Sequence, residues 1–173
     1  MKKMLFTAAF AIACTFAAEA QAVRPNAIGI RLSAGDGTGA DVSYQRRVLT
    51  NNRLEFDLGL REDNHYDEVK FMAGFHWVIP IDSGFNFYAG PAIGAGSWEH
   101  DRWNDDLPGN YDEDGSFGVI AGVAGIEYVF PNIPLQLSFD LRPEVHFGDD
   151  RDDFDRDYHS LVPDIGLAVR YTF

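Results

Sequence analysis

Apolar and polar residues alternate one by one along most of this chain, which is the period of a β-strand with two unlike faces. The clearest stretch covers residues 135–147, where apolar side chains occupy one face and polar or charged side chains the other. Seven further segments follow the same pattern more or less regularly. The pattern predicts strands over residues 27–35, 40–49, 54–61, 69–77, 85–98, 117–130, 135–147 and 164–173.

The connections between these predicted strands are of two kinds, which alternate along the chain. One kind is short and contains the Asn, Gly and Pro residues of tight turns. The other kind is polar and mostly longer. The short connections lie at residues 50–52, 82–84 and 131–134, and the others lie at residues 36–39, 62–68, 99–116 and 148–160. Short turns at one end and longer loops at the other predict an all-β fold, an eight-stranded antiparallel transmembrane β-barrel with up-and-down topology.

The N-terminal segment has the pattern of a secretory signal peptide. Two lysines precede an apolar stretch over residues 4–18, and the small residues that a signal peptidase needs end at Ala22. We therefore expect residues 1–22 to be cleaved and residues 23–173 to form the barrel. The alternative is a lipoprotein signal, in which Cys14 would carry the lipid. The residues just before Cys14 lack the leucine that is usual in such signals, so we favour ordinary cleavage. Because this single cysteine is removed with the signal peptide, we expect no disulfide in the mature chain.

Alternation alone does not say which face points into the barrel. A soluble barrel of the lipocalin type would bury its apolar face, whereas a membrane barrel turns that face towards lipid. Aromatic residues favour the membrane arrangement, because they collect beside the short turns although neighbouring strands run in opposite directions. One ring of aromatics at one level is typical of an interfacial girdle. These residues are Tyr44, Trp77, Phe85, Phe87, Tyr128, Phe130, Tyr171 and Phe173.

The polar face also favours the membrane arrangement, because its acidic and basic residues are nearly equal in number. Such charges can pair inside a narrow lumen, where an unpaired charge would be costly. The acids are Asp41, Glu55, Asp57, Glu127, Asp140, Glu144 and Asp164, and the bases are Arg31, Arg47, Arg61, Lys70, Arg142 and Arg170. From this set we predict a structural lumen network formed by Arg31, Asp57, Asp140, Arg142 and Arg170.

The end of the chain carries a family resemblance. Phe173 is the last residue, with a second aromatic at Tyr171, and the interior contains NNRLEFDLGLR, FNFYAGPAIGAG and LQLSFDLRPEVHF. Together with the signal peptide, these features resemble the small outer-membrane β-barrel family typified by OmpX and the membrane domain of OmpA, often labelled porin-family. The resemblance implies insertion into the cell outer membrane of a Gram-negative bacterium by the outer-membrane assembly machinery, with Phe173 and Tyr171 as the assembly signal and both termini in the periplasm. It implies no single shared activity.

Composition and charge narrow the remaining classes. Hydrophobic residues make up 46% of the chain, which argues against disorder, and no long apolar run follows the signal peptide, which argues against a helical membrane protein. The net charge of −13 has the wrong sign for a nucleic-acid binder. We expect a monomer without a cofactor, surrounded by outer-membrane lipid and lipopolysaccharide.

The acidic residues concentrate in the longer connections. Clustered carboxylates can bind divalent cations such as calcium, and the weak candidates for such binding are Asp149, Asp150, Asp152 and Asp153. Neither acidic loop has the spacing of a defined calcium loop, so we favour a solvated surface beside lipopolysaccharide. We therefore expect no metal site.

The five histidines are the candidates for a catalytic base. A lipid-modifying barrel would need a Ser–His pair on one lipid-facing strip. His159 and Ser160 are adjacent, so on a strand they would face opposite ways. The sequence therefore predicts a non-enzymatic outer-membrane barrel with a plugged polar lumen, acting structurally or through its acidic extracellular loops. A lipid-modifying outer-membrane enzyme and a narrow channel are the alternatives.

Overall fold

The computed structural model describes residues 24–35, 37–63, 66–102, 111–148 and 161–173. The strands within these residues are β1 (Asn26–Gly35), β2 (Gly37–Leu49), β3 (Asn52–Asp63), β4 (Tyr66–Asp82), β5 (Phe85–Arg102), β6 (Tyr111–Val129), β7 (Leu135–Phe147) and β8 (Leu161–Thr172). Each strand pairs antiparallel with the next one along the chain, and β1 also pairs with β8. The sheet is therefore closed, and the predicted eight-stranded antiparallel barrel with up-and-down topology is confirmed.

Several strands continue beyond their predicted ends. The predicted loop over residues 99–116 is shorter in the structure, because β5 runs to Arg102 and β6 begins at Tyr111. The predicted loop over residues 62–68 shortens in the same way, and Glu68 becomes part of β4. An antiparallel ladder is held by backbone hydrogen bonds, so pairing continues where the alternation of side chains has been lost.

The outer face of the barrel carries exposed apolar side chains on all eight strands. Ile30, Leu60 and Leu167, for example, are between 57% and 63% exposed. This is the opposite of a soluble barrel, which keeps such side chains inside. Among the residues that the structure describes, no helix is long and apolar enough to span a membrane.

The interior has two unlike halves. Buried polar and charged side chains predominate on the inner faces of β1, β2, β3, β7 and β8, and β4 adds Glu68, Lys70 and His76. A cluster of buried apolar side chains from β4, β5 and β6 occupies the other half. The alternation of β6 is the hardest to assign from sequence, because this strand is apolar on both faces. Its inner face carries Phe117, Val119, Ala121 and Val123.

Candidate functional site

Arg31 on β1 is the centre of one buried ion cluster. Its guanidinium contacts carboxylates from three strands, with Nη2 2.6 Å from Asp140 and Nη1 3.1 Å from Asp41 and 3.0 Å from Asp164. Gly166 lies beside this guanidinium, and a Cβ atom at that position would overlap it. The lack of a side chain at Gly166 on β8 therefore leaves the space that the Arg31 guanidinium occupies.

Glu55 on β3 is the centre of a second cluster. It accepts a hydrogen bond of 3.0 Å from Arg170 and one of 2.5 Å from the amide of Gln45, and it lies 3.4 Å from Arg142. Arg142 also pairs with Asp57 at 2.9 Å. The five residues predicted as a lumen network are thus all buried, with Arg31 and Asp140 in the first cluster and Arg142, Asp57 and Arg170 in the second.

A third polar group lies towards the turn end of the barrel. Arg53 donates to Glu127, which also accepts a hydrogen bond of 2.7 Å from Gln136 and one of 3.1 Å from Asn86. The side-chain amide of Gln136 in turn donates to the side-chain Oε1 of Gln45 at 3.1 Å. These bonds join five strands, β2, β3, β5, β6 and β7, in a layer that crosses the barrel between the second cluster and the turns.

The sequence pattern misassigned or missed several interior residues. Arg47 is exposed at the turn end instead of buried in the lumen, because it lies near the end of β2, beyond the buried Gln45. Arg53 and Glu68, which the pattern did not place in the lumen, are buried there. Among the described residues, the buried set therefore holds eight carboxylates against six arginine and lysine side chains. The hydroxyl of Tyr88 also donates to Asp140, at 3.1 Å.

The predicted cation-binding aspartates, Asp149, Asp150, Asp152 and Asp153, lie outside the described residues. Within residues that the structure does describe, no group of three histidine, aspartate or glutamate side chains is placed to hold a metal ion.

Two histidines have described side chains, and both belong to the interior. His76 is 1% exposed and lies 3.5 Å from Glu55, and His146 contacts Glu144 at 3.0 Å. His146 also stacks on the ring of Phe117.

The C-terminal residues lie at the turn end, next to the first strand. The backbone N–H of Asn26 donates to Phe173 at 3.0 Å, and the N–H of Phe173 donates to Asn26 at 2.9 Å. The rings of Tyr171 and Phe173 stack with their centroids 6.0 Å apart. Other rings of the predicted girdle also meet there, such as Phe85 and Tyr128 at 4.6 Å.

The mouth of the barrel at this end is a cavity of about 410 Å³, which we call the turn-end vestibule. The layer containing Gln45, Arg53, Glu127 and Gln136 contributes to its lining, together with residues of the short turns and of the N-terminal segment. Arg24 and Arg47 also line it.

No protein-family model matches this chain, and no curated protein matches it either. Among solved structures, the N-terminal β-barrel domain of OprF from Pseudomonas aeruginosa is similar with a TM-score of 0.59 and 14% identity, covering 86% of this chain and 96% of that one. Neisserial surface protein A, NspA, is similar with a TM-score of 0.59 and 14% identity, covering 86% of this chain and 94% of that one. The chain therefore has the fold of the small outer-membrane β-barrels, as the resemblance in its sequence predicts.

Proposed function

We propose that this protein is an integral outer-membrane barrel with a plugged lumen, acting structurally or through surface interactions of its acidic extracellular loops. The observation that carries the proposal is the apolar outer face on all eight strands, around a charged interior. Apolar patches of more than a few hundred Å² are rare on soluble monomers, because exposing apolar surface to water is unfavourable. In a membrane the same surface contacts lipid, and this penalty is absent. Burial of the polar face and exposure of the apolar face suit a barrel whose solvent is lipid.

The plugged lumen is supported by the side chains in the middle of the barrel. Arg31, Asp140 and Arg170 are each 0% exposed. A narrow channel would need a continuous path of water past these groups. Their complete burial, with Arg31 paired to Asp140 and Arg170 paired to Glu55, favours a filled interior over that alternative.

A non-enzymatic role is supported by the positions of His76 and His146, which point into the lumen. A lipid-modifying enzyme would present its base and nucleophile to the lipid around the barrel.

The orientation that we propose follows from the lengths of the connections. Outer-membrane barrels have short periplasmic turns and longer extracellular loops. On this basis the two termini and the turn-end vestibule face the periplasm, and the acidic loops lie among lipopolysaccharide headgroups. We propose a monomer, since all eight strands are paired within one chain.

Lipid contact predicts a strong dependence on depth for charges placed on the outer face. Ile30→Lys, near the middle of β1, should lower the free energy of unfolding in lipid vesicles by about 2–4 kcal/mol. Leu49→Lys is the matched control at the end of β2, where the cost should be about 0–1 kcal/mol. Chemical unfolding followed by tryptophan fluorescence measures both. Near-neutral effects of both substitutions would show that the outer face meets water and would overturn the proposal.

Delivery to the outer membrane is proposed to depend on the assembly machinery and on the terminal aromatic. Phe173→Ala should reduce the amount of protein in the outer membrane while leaving the detergent-refolded barrel mostly stable, because one partly exposed ring contributes only about 1–3 kcal/mol. Phe85→Ala removes another exposed ring from the turn end and serves as the control. Fractionation of expressing cells measures delivery. Equal accumulation of wild type and Phe173→Ala would rule out the targeting role.

A further inference from the structure

The turn-end vestibule has a charge opposite to that of the protein as a whole. Three arginines, Arg24, Arg47 and Arg53, contribute to its lining, against the single carboxylate of Glu127. The chain as a whole carries a net charge of −13. The positive lining is therefore a local arrangement and does not follow from the overall composition.

The carboxylate in this lining is already engaged by its neighbours. Glu127 accepts hydrogen bonds from Arg53, from Gln136 at 2.7 Å and from Asn86 at 3.1 Å. Both of its oxygen atoms are used in these contacts. It is therefore committed to the layer across the barrel and does not neutralise the other two arginines.

The arginines themselves retain unused donors. Arg53 is 6% exposed, and its Nη2 atom has no hydrogen-bond partner among the described residues. Arg24 donates one hydrogen bond, of 3.1 Å, to the hydroxyl of Thr172. Within the same described part of the chain, Arg47 has no side-chain hydrogen bond or ion pair. The Arg53 guanidinium lies over the ring of Tyr88 and its Nη2 atom is buried, so an anion in the vestibule would contact Arg24 and Arg47 directly and interact with Arg53 through its charge.

We propose that the turn-end vestibule is a binding site for a small phosphate- or carboxylate-bearing molecule. Guanidinium groups match the geometry of these anions and hydrogen-bond them in pairs. The volume of about 410 Å³ lies within the range of small-molecule pockets. The site extends beyond the structural role proposed above and does not depend on it, because it requires only the folded barrel.

Inorganic phosphate and acetate are the probes for this site. They are titrated at constant ionic strength into the isotope-labelled barrel, folded in dodecyl maltoside, while NMR follows the arginine Nε–Hε signals. Saturable shifts of Arg53 and Arg47 are expected. Arg47→Gln should weaken phosphate binding roughly tenfold, since it removes a charge-assisted hydrogen bond. This exposed residue can be changed without disturbing the buried layer.

Arg46→Gln is the matched control, because Arg46 is the adjacent exposed arginine and does not line the vestibule. It should leave phosphate binding unchanged. Absence of a saturable shift, or equal weakening by both substitutions, would overturn the site. Repeating the titration in phosphatidylglycerol nanodiscs distinguishes the sources of the anion. Signals already shifted before phosphate is added assign the site to a lipid headgroup, and a retained response to phosphate assigns it to a free solute.

Discussion

Arg31→Met is expected to lower the free energy of unfolding of the barrel by about 3–5 kcal/mol, the range found when one member of a buried ion pair is removed. The substitution takes the shared cation away from Asp41, Asp140 and Asp164 at once. Of these, Asp164 keeps a contact with Arg61 at 3.3 Å. The methionine side chain fills much of the vacated volume, so the effect reports the loss of charge pairing and not a cavity.

Urea unfolding of the refolded protein, followed by tryptophan fluorescence, measures this effect. Ser33→Ala is the control, because Ser33 is buried on the same face of β1 and its hydroxyl has no hydrogen-bond partner among the described residues. Its removal should change stability little. Asp140→Ala should cost less than Arg31→Met, since Arg31 keeps two carboxylates. An unchanged midpoint for Arg31→Met would mean that water reaches these carboxylates.

Gly166→Ala is also expected to destabilise the barrel through the first ion cluster. A methyl group at this position overlaps the guanidinium of Arg31, and overpacking of an interior costs about 1–3 kcal/mol. Any displacement of Arg31 adds to this cost, because it lengthens the contacts with its carboxylates.

Gly122→Ala is the control for this change. Gly122 is exposed on the outer face, where an added Cβ would meet only the ring of Pro143, at 4.0 Å. Alanine in a strand is better tolerated than glycine, so this substitution should be neutral or slightly stabilising. The same unfolding measurement compares the two variants. Equal destabilisation by both would contradict the proposed role of Gly166 in making room for Arg31.

The fold could be predicted from the sequence because most strands separate two environments of opposite polarity. In β7, for example, Ser138 and Asp140 face the interior while Leu137 and Phe139 face outwards, so a period of two is visible. β6 lacks this contrast, since its interior side chains pack against the apolar half of the lumen. The strand ends were also misjudged, because backbone pairing outlasts the alternation of side chains.

Most of the interior residues of the candidate site could be predicted, but their partners could not. Arg31 and Asp140 are separated by 109 positions in the chain, and their contact depends on how the closed sheet aligns β1 with β7. The turn-end vestibule was missed for a related reason. It combines residues from both ends of the chain with Arg47, which lies near the end of β2 at the mouth of the barrel.

The division of the interior into two halves has a consequence for how the barrel assembles. The apolar half comes from β4, β5 and β6, which follow one another along the chain and can pack as they form. Several of the buried ion pairs join β3 to the last two strands, as in the contact of Arg170 with Glu55 and that of Arg142 with Asp57. These two pairs form only when β7 and β8 come to lie across the lumen from β3. An incompletely closed barrel in lipid would therefore hold unpaired charges, which makes the final closing step cooperative and disfavours long-lived open intermediates.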